Sequence, residues 1–325
     1  MPQSEIRKDY IQDKYVIIAP RRGVRPHEIV PASPRKIVPP PCHFCPEKLD
    51  QEPYVLEVGS PNAKDSPSRL KRTVLSAPST RLWLIKVVPN RFPAVSIENQ
   101  KAYGVQEVVV ETPEHGKHLE DLPEDHIAKL LSVYAARTKI ISKDRKIEYI
   151  LIFKNAGGPA GASIQHAHSQ IFATHFLPPH LFDKSQKVQA YKLRTGGCVY
   201  CDVIAKERKS PRLVYEDKQV IAFTPYASMH NYEIWILPKR HLDNITLLTD
   251  AERLSWSKIL KQVLIKIDAL GLPYNYYFHQ VIHDEDQHLY MKITPRGSIW
   301  AGVEIGSGLI INPVAPEEAA RYYRD

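Results

Sequence analysis

The cysteines constrain this chain more than any other feature. There are four, and each lies in a Cys-x-x-Cys pair, Cys42-His-Phe-Cys45 and Cys198-Val-Tyr-Cys201. Each pair opens the same order of parts. The first is followed by a β-branched run ending in Val110-Glu-Thr-Pro-Glu-His115, a helical pattern, and a strand-like run that leads to His166. The second is followed by Ile234-Trp-Ile-Leu-Pro-Lys-Arg-His241, another helical pattern, and a strand-like run that leads to His288. The offsets are 156, 126 and 122 residues (Cys42 to Cys198, His115 to His241, His166 to His288), so loop lengths differ while the order is kept. Such conservation of order implies an internal duplication, with a first repeat over 1–180 and a second over 181–325.

In a reducing compartment, pairs with this spacing act as metal clamps or redox dithiols more often than as structural disulfides. Each half adds two imidazoles to its two thiols, which is the ligand set of a closed tetrahedral zinc site. Two structural zinc sites are therefore expected, one from Cys42, Cys45, His115 and His166, the other from Cys198, Cys201, His241 and His288. In the second half His230, His279 and His283 compete for the histidine positions. Zinc is preferred over iron on ligand type, with iron an alternative for the second metal.

Between these ligands the pattern predicts a mixed α+β chain. Residues 14–19, 83–88, 105–111 and 148–153 are strand-like in the first half, as are 219–224, 232–237, 274–282 and 288–293 in the second. Apolar residues at helical spacing mark 123–143, with a start at Asp121 or Pro123, and a second helix over 250–269. A short helix is expected over 317–324. Residues 20–41 and 53–80, rich in Pro, Arg and Ser, read as loops ordered by substrate or partner.

The N-terminal segment lacks the apolar core of a signal peptide, and no apolar run approaches the ~20 residues needed to cross a bilayer. The expectation is a soluble cytoplasmic protein without a membrane partner. The formal charge of +8 suits anionic ligands. No block of like charges marks a nucleic-acid tail, and aromatic residues make up only 9% of the chain.

The chemistry concentrates in Asn155-Ala-Gly-Gly-Pro-Ala-Gly-Ala-Ser-Ile-Gln-His-Ala-His-Ser-Gln170. Glycines and small residues let backbone amides approach an anion closely. Asn155 and Ser163 supply hydrogen-bond donors for phosphate oxygens. Two histidines spaced i, i+2 then fall on one face of an extended chain. A neutral imidazole can attack an activated phosphoanhydride and form a covalent phosphoramidate, which splits one transfer into two easier steps. Amides, Ser163, Gln170 and nearby arginines would stabilise charge on the phosphoryl oxygens.

This segment resembles the His-Pro-His-x-Gln signature of the galactose-1-phosphate uridylyltransferases and their relatives in the histidine-triad superfamily, and the resemblance extends over nearly the whole chain. Arg21-Arg-Gly-Val-Arg-Pro26 resembles the arginine segment that contacts substrate phosphates, pointing to Arg22 and Arg25. Pro89-Asn-Arg-Phe-Pro93 resembles the nucleotide-binding segment, pointing to Asn90 and Phe92. Asn155 and Gly161 of the glycine tract join these as substrate-binding candidates. The region from Gly302-Val-Glu-Ile-Gly306 to Ile311-Asn-Pro-Val314 resembles the hexose-binding end, pointing to Glu304 and Asn312.

The resemblance implies two histidine-triad-like repeats, each an antiparallel sheet with helices packed on it. It also implies a homodimer with a shared active site. The implied reaction is a ping-pong cycle in which His168 takes UMP from UDP-glucose and passes it to galactose 1-phosphate, with Gln170 and Ser163 holding the phosphoryl group. His166 is then a zinc ligand, not a second nucleophile. Three departures stand out. Ala167 replaces the usual proline, Ser298 stands about where a lysine usually precedes the hexose segment, and Tyr290 occupies the second-repeat position that matches His168.

Other readings rest on other features. An ADP-glucose phosphorylase or related adenylyltransferase would use phosphate as acceptor in the same chemistry. A hydrolase of the small histidine-triad type would need a histidine at Gln170, because an amide cannot act as the acid. A zinc-stapled nucleic-acid-binding protein would keep its ligands close together in sequence, whereas here they are far apart.

Overall fold

The computed structural model describes residues 3–24, 42–59, 83–282 and 284–325, so Arg25, His283 and most of the two proline-rich stretches lie outside the described residues. The first half holds β1 (Glu5–Lys8), β2 (Tyr15–Ile18), α1 (Pro46–Leu49), β3 (Leu56–Gly59), β4 (Trp83–Pro89), β5 (Gly104–Val110), α2 (Glu124–Ile141), β6 (Tyr149–Ala156) and β7 (His168–Thr174). There follow α3 (Pro179–Thr195), α4 (Val199–Glu207), β8 (Leu213–Glu216), β9 (Val220–Phe223), β10 (Ile234–Pro238) and α5 (Asp250–Ala269). The chain ends with β11 (Tyr274–His279), β12 (Tyr290–Pro295), α6 (Gly302–Ser307), β13 (Ile310–Asn312) and α7 (Pro316–Arg324). The α+β class is as expected.

Ten strands form one sheet in the order β3-β4-β5-β7-β6-β11-β12-β10-β9-β8. The order is a palindrome: outward from the β6–β11 seam, β7, β5, β4 and β3 on one side answer β12, β10, β9 and β8 on the other. The expected one sheet per repeat is therefore modified. The two antiparallel halves join edge to edge, with pairing from Phe153↔Tyr277 to Ala156↔Tyr274. An uncovered edge would leave a row of unpaired N–H and C=O groups, and each half supplies the other's missing neighbour.

Strand alternation gives this sheet two unlike faces. Ile150, Ile152, Ile171, Ala173, Tyr276, Phe278, Met291 and Ile293 point into the main core beneath α2 and α5. The alternate residues of β6, β7, β11 and β12 point to the other face, where polar and aromatic side chains gather. Helix α5 starts at a capping box in which Thr249 Oγ1 accepts from the Glu252 amide and Glu252 Oε2 accepts from the Thr249 amide, a device worth about 1 kcal/mol. A separate sheet, β1-β2-β13, carries a 3-10 turn over Pro20–Val24.

Several bounds differ from the sequence expectation for local reasons. Tyr232 has a left-handed backbone (φ 57°), so β10 begins only at Ile234. His288 precedes β12 instead of lying within it. Helices α3, α4 and α6 carry weak patterns; α3 buries only Leu181, Lys184 and Val188 over its 17 residues. The boundary expected at 180/181 falls in its first turn. Among the described residues no helix is long and apolar enough to cross a membrane.

Candidate active site

His168 is the first residue of β7, 8% exposed, on the face of the sheet away from α2. Its Nδ1 lies 2.9 Å from the His166 carbonyl oxygen. A carbonyl can only accept, so Nδ1 carries the proton and Nε2 keeps its lone pair. Burial lowers the His168 pKa below the usual imidazole value, and the nearby Lys154 charge acts in the same direction. Neutral imidazole with a lone pair on Nε2 is the form required of a nucleophile toward phosphorus. His166 has the opposite arrangement. Its Nε2 donates to the Thr112 carbonyl at 2.7 Å, which leaves Nδ1 facing Cys42. Two histidines of one strand entry thus present different nitrogens to different tasks.

Gln170, two residues along the same face, is fixed by groups on neighbouring strands. Its Oε1 accepts from Gln106 Nε2 at 3.1 Å and from Asn90 Nδ2 at 3.4 Å. Both donors are themselves oriented, since Gln106 Oε1 accepts from the Ala94 amide and Asn90 Oδ1 from the Phe92 amide. The Gln170 amide therefore directs its N–H₂ end away from this network. Gln106 was not singled out in the sequence; it follows the strand alternation of β5 but belongs to no motif. Phe92 is 85% exposed at the tip of the same segment. A cavity of about 230 Å³ opens beside Asn90 and Gln106, lined by Pro93, Val95, Ile97 and Arg137.

The glycine tract leaves β6 after Ala156 and turns tightly through Gly158–Ala160. Gly157 and Gly161 adopt φ of 91° and 90°, a region that disfavours any side chain. At Gly157 a Cβ would also lie 2.6 Å from Pro273 Cβ, so the second half presses against the tract. Asn275 on β11 donates from Nδ2 to Asn155 Oδ1 (2.8 Å) and to the Ala160 carbonyl (2.7 Å), pinning the turn. Asn275 is a second contributor that sequence reasoning missed. Ser163 is exposed at the end of the tract. Beneath His168, Lys154 donates to the His168 carbonyl (3.2 Å) and pairs with Glu111 at 2.5 Å, both side chains being at most 2% exposed.

Arg22 and Glu304 form a separate group. Arg22 sits exposed on the 3-10 turn; the Ala301 amide, and to a lesser extent the Arg22 charge, lower the Glu304 carboxyl below its usual value. Glu304 caps α6 by accepting from that amide at 2.9 Å. Asn312 is buried, with Nδ2 donating to the Ser228 and His230 carbonyls and Oδ1 accepting from the Val314 amide. Its side chain holds β13 in place and has no donor left for a substrate. Arg25 lies outside the described residues.

Both groups of four metal-binding candidates are assembled. Cys42, Cys45, His115 and His166 bring their ligand atoms within 4.8 Å of one another, as do Cys198, Cys201, His241 and His288. In the first group the Cys42–Cys45, Cys42–His166 and Cys45–His115 separations are 3.5, 3.4 and 3.5 Å. Ligands at 2.0–2.3 Å on a tetrahedron stand about 3.4–3.8 Å apart, so the geometry fits one tetrahedral ion. The second histidine nitrogens are also occupied: His241 Nε2 faces the Glu285 carbonyl and His288 Nε2 the Pro238 carbonyl. Orientation of ligand rings by backbone carbonyls is the usual second shell of such sites. His230 and His279 belong to neither group.

Comparison with known proteins follows these residues. The family model for the galactose-1-phosphate uridyl transferase N-terminal domain matches residues 88–178, which includes the Asn90 segment and the His166–Gln170 segment. The chain is 31% identical to ADP-glucose phosphorylase of Arabidopsis thaliana over 99% of its own length and 92% of that protein. It is 35% identical to galactose-1-phosphate uridylyltransferase of Thermotoga maritima over 70% of its length and 75% of that protein. The crystal structure of the Arabidopsis ADP-glucose phosphorylase with bound ADP-glucose matches with a TM-score of 0.84 at 29% identity, covering 100% of this chain and 99% of that one. A uridylyltransferase structure matches at 0.72 and 27% identity, covering 98% and 97%. With the His166–Gln170 strand, the glycine tract and the paired Cys/His groups all present, this chain belongs to the galactose-1-phosphate uridylyltransferase family of nucleotidyltransferases.

Proposed function

We propose that the protein transfers a nucleoside monophosphate from a nucleotide sugar to a phosphate acceptor through a covalent intermediate on His168. The observation that carries this reading is the Nδ1 hydrogen bond to the His166 carbonyl, which leaves the Nε2 lone pair free for attack. Nε2 attacks the α-phosphorus, the bond from that phosphorus to the bridging oxygen breaks, and sugar 1-phosphate leaves with the electron pair. The Nδ1 proton stays in place, and its carbonyl partner stabilises the positive charge that the ring acquires. Gln170 donates its N–H₂ to a phosphoryl oxygen, with Ser163 and the tract amides near Gly161 on the others. Gln170 has no proton to transfer, which favours an acceptor phosphate over water in the second step. The cavity beside Asn90 receives the base, with Phe92 at its edge.

The end-to-end similarity to the Arabidopsis ADP-glucose phosphorylase, together with Ser298 at the usual lysine position, supports ADP-glucose as donor and inorganic phosphate as acceptor. The second reading is UMP transfer from UDP-glucose to galactose 1-phosphate, which the similarity to the Thermotoga maritima enzyme supports. Residues 1–180 would form the catalytic repeat and 181–325 the supporting one. Zinc would be held by the two Cys/His groups, where it supplies a structural clamp tying the segment around Cys42 to the entry of β7. Exposed Ile299, Val303 and Ile305 beside Glu304 form an apolar surface suited to a second copy of the chain, giving a cytoplasmic homodimer in which Arg22, Arg25 and Glu304 serve the shared site.

Intact-mass measurement after incubation with ADP-glucose or UDP-glucose tests the reading. A gain of one AMP or one UMP, absent in His168→Asn, is expected and names the nucleotide. A His168→Asn variant that still acquires the mass would refute the assignment.

A further inference from the structure

A cavity of about 540 Å³ spans the β6–β11 seam and the second repeat on the same face of the sheet; Asn155 lines its edge, while His168 and Gln170 do not line it. The duplication explains its position. Strand β12 places Tyr290 where β7 has His168, and Lys292 where β7 has Gln170. Phe153 pairs with Gln170 on β7, as Tyr277 pairs with Lys292 on β12; two residues along, His279 therefore answers Asn155. The second repeat turns Tyr277, His279 and Lys292 into this cavity but has the Tyr290 phenol at the position of His168.

Charge identifies the kind of ligand. Lys184 of α3 reaches this cavity from within the protein, only 7% exposed, and donates to the Tyr290 hydroxyl. Among the described residues no carboxylate lies within ion-pair distance of Lys184 or of Lys14 at the rim. A protonated Lys184 has three donors, of which two remain for a ligand beyond the Tyr290 hydroxyl. Lys292 pairs with Glu233 at 2.8 Å, and Asp9 is engaged by the Ile11 and Gln12 amides. Burial holds Lys184 down to about 7; with it protonated, Lys14, Lys184, Lys292 and Arg296 face Asp9 and Glu233, an excess of positive charge that suits an anion, and a phosphate bound there would itself favour the charged ammonium. Burial holds His230 down to about 4 and His279 well below its ordinary value, so the histidines add no charge at neutral pH. A cavity of this volume holds more than a phosphate, and Asn275, Thr294, Tyr277 and Trp300 offer hydroxyl partners and ring faces to an organic group.

We propose that this cavity is a second, non-catalytic site that binds a phosphate monoester, its phosphate held by Lys184 and Lys292 and its mouth guarded by Lys14 and Arg296. Titration calorimetry of the metal-replete full chain with glucose 1-phosphate tests it, using Lys184→Met and the rim variant Lys14→Gln, whose exposed side chain is not needed for folding. Two binding events per chain are expected in the wild type. Each variant should weaken one of them at least tenfold while nucleotide loading of His168, read by intact mass, is unchanged. Inorganic phosphate should compete for the event that the variants weaken. A single event in the wild type, two intact events in Lys14→Gln and Lys184→Met, or no competition by phosphate would overturn the proposal. Loss of nucleotide loading together with the weakened event would also overturn it, by making the cavity part of the catalytic centre. If His168 acquires no nucleotide at all, the count of events and its dependence on Lys184 still decide the matter.

Discussion

Replacing Lys154 by methionine tests the support beneath His168. Lys154 and Glu111 are 2.5 Å apart and essentially excluded from water. At an effective dielectric near 20, attraction at this separation is about 6–7 kcal/mol, against a desolvation cost of several kcal/mol for each ion. The pair as a whole therefore contributes little net stability. Removing one member is a different matter. Glu111 would keep its desolvation cost with, among the described residues, only the Tyr276 hydroxyl, 3.5 Å away, as a side-chain partner. The expected loss for Lys154→Met is about 3–5 kcal/mol, the range for breaking a buried pair from one side. The double variant Lys154→Met/Glu111→Leu, with no stranded charge, should recover most of this loss. The assay is urea unfolding of the metal-replete protein, completed as a double-mutant cycle. Nucleotide loading should remain slow in both variants, because each lacks the ammonium that holds the His168 carbonyl. A single variant that loses less than about 1 kcal/mol, or a double variant as unstable as the single, would refute this account of the pair.

Gln106→Leu removes an amide that orients Gln170 and should slow nucleotide loading about tenfold, the cost of one lost hydrogen bond near 1.4 kcal/mol, with unfolding little changed; stopped-flow or quenched mass measurement follows it. Cys45→Ser should reduce bound metal from two ions per chain to one, as counted by elemental analysis, and Cys201→Ser should do the same at the other group. Burial pushes the Glu120 carboxyl up to about 7, and its Oε2 has no partner among the described residues. Its folded value thus exceeds the unfolded one, so stability is lost as pH rises from about 4.5 to 7. Glu120→Gln should accordingly raise stability by about 1–3 kcal/mol at pH 7.5 but not at pH 4.5, as chemical unfolding at the two pH values would show.

Much of the site was legible because its chemistry is local in sequence. His166, His168 and Gln170 lie within five residues, and the alternation of an extended chain places the last two on one face without help from elsewhere. The eight metal-binding candidates are widely separated, but their order repeats, and repetition can be read without coordinates. What sequence could not supply is the identity of partners that meet through strand pairing. Gln106 and Asn275 carry no motif; one orients Gln170 across β5 and β7, and the other pins the glycine tract across the β6–β11 seam. The same limit hid the union of the two halves into one sheet, since no local pattern tells a strand which edge it will adjoin. It also hid the distinct fates of Asn312 and Lys184. One polar side chain satisfies the backbone around β13; the other is buried at a cavity with no carboxylate within ion-pair distance of it among the described residues. Residue type and periodicity determined which residues are candidates for the chemistry and the repeated order of parts, because these depend on neighbours along the chain. Tertiary packing alone decided which nitrogen each histidine presents and which polar groups remain free, because those choices rest on hydrogen bonds between residues far apart in sequence.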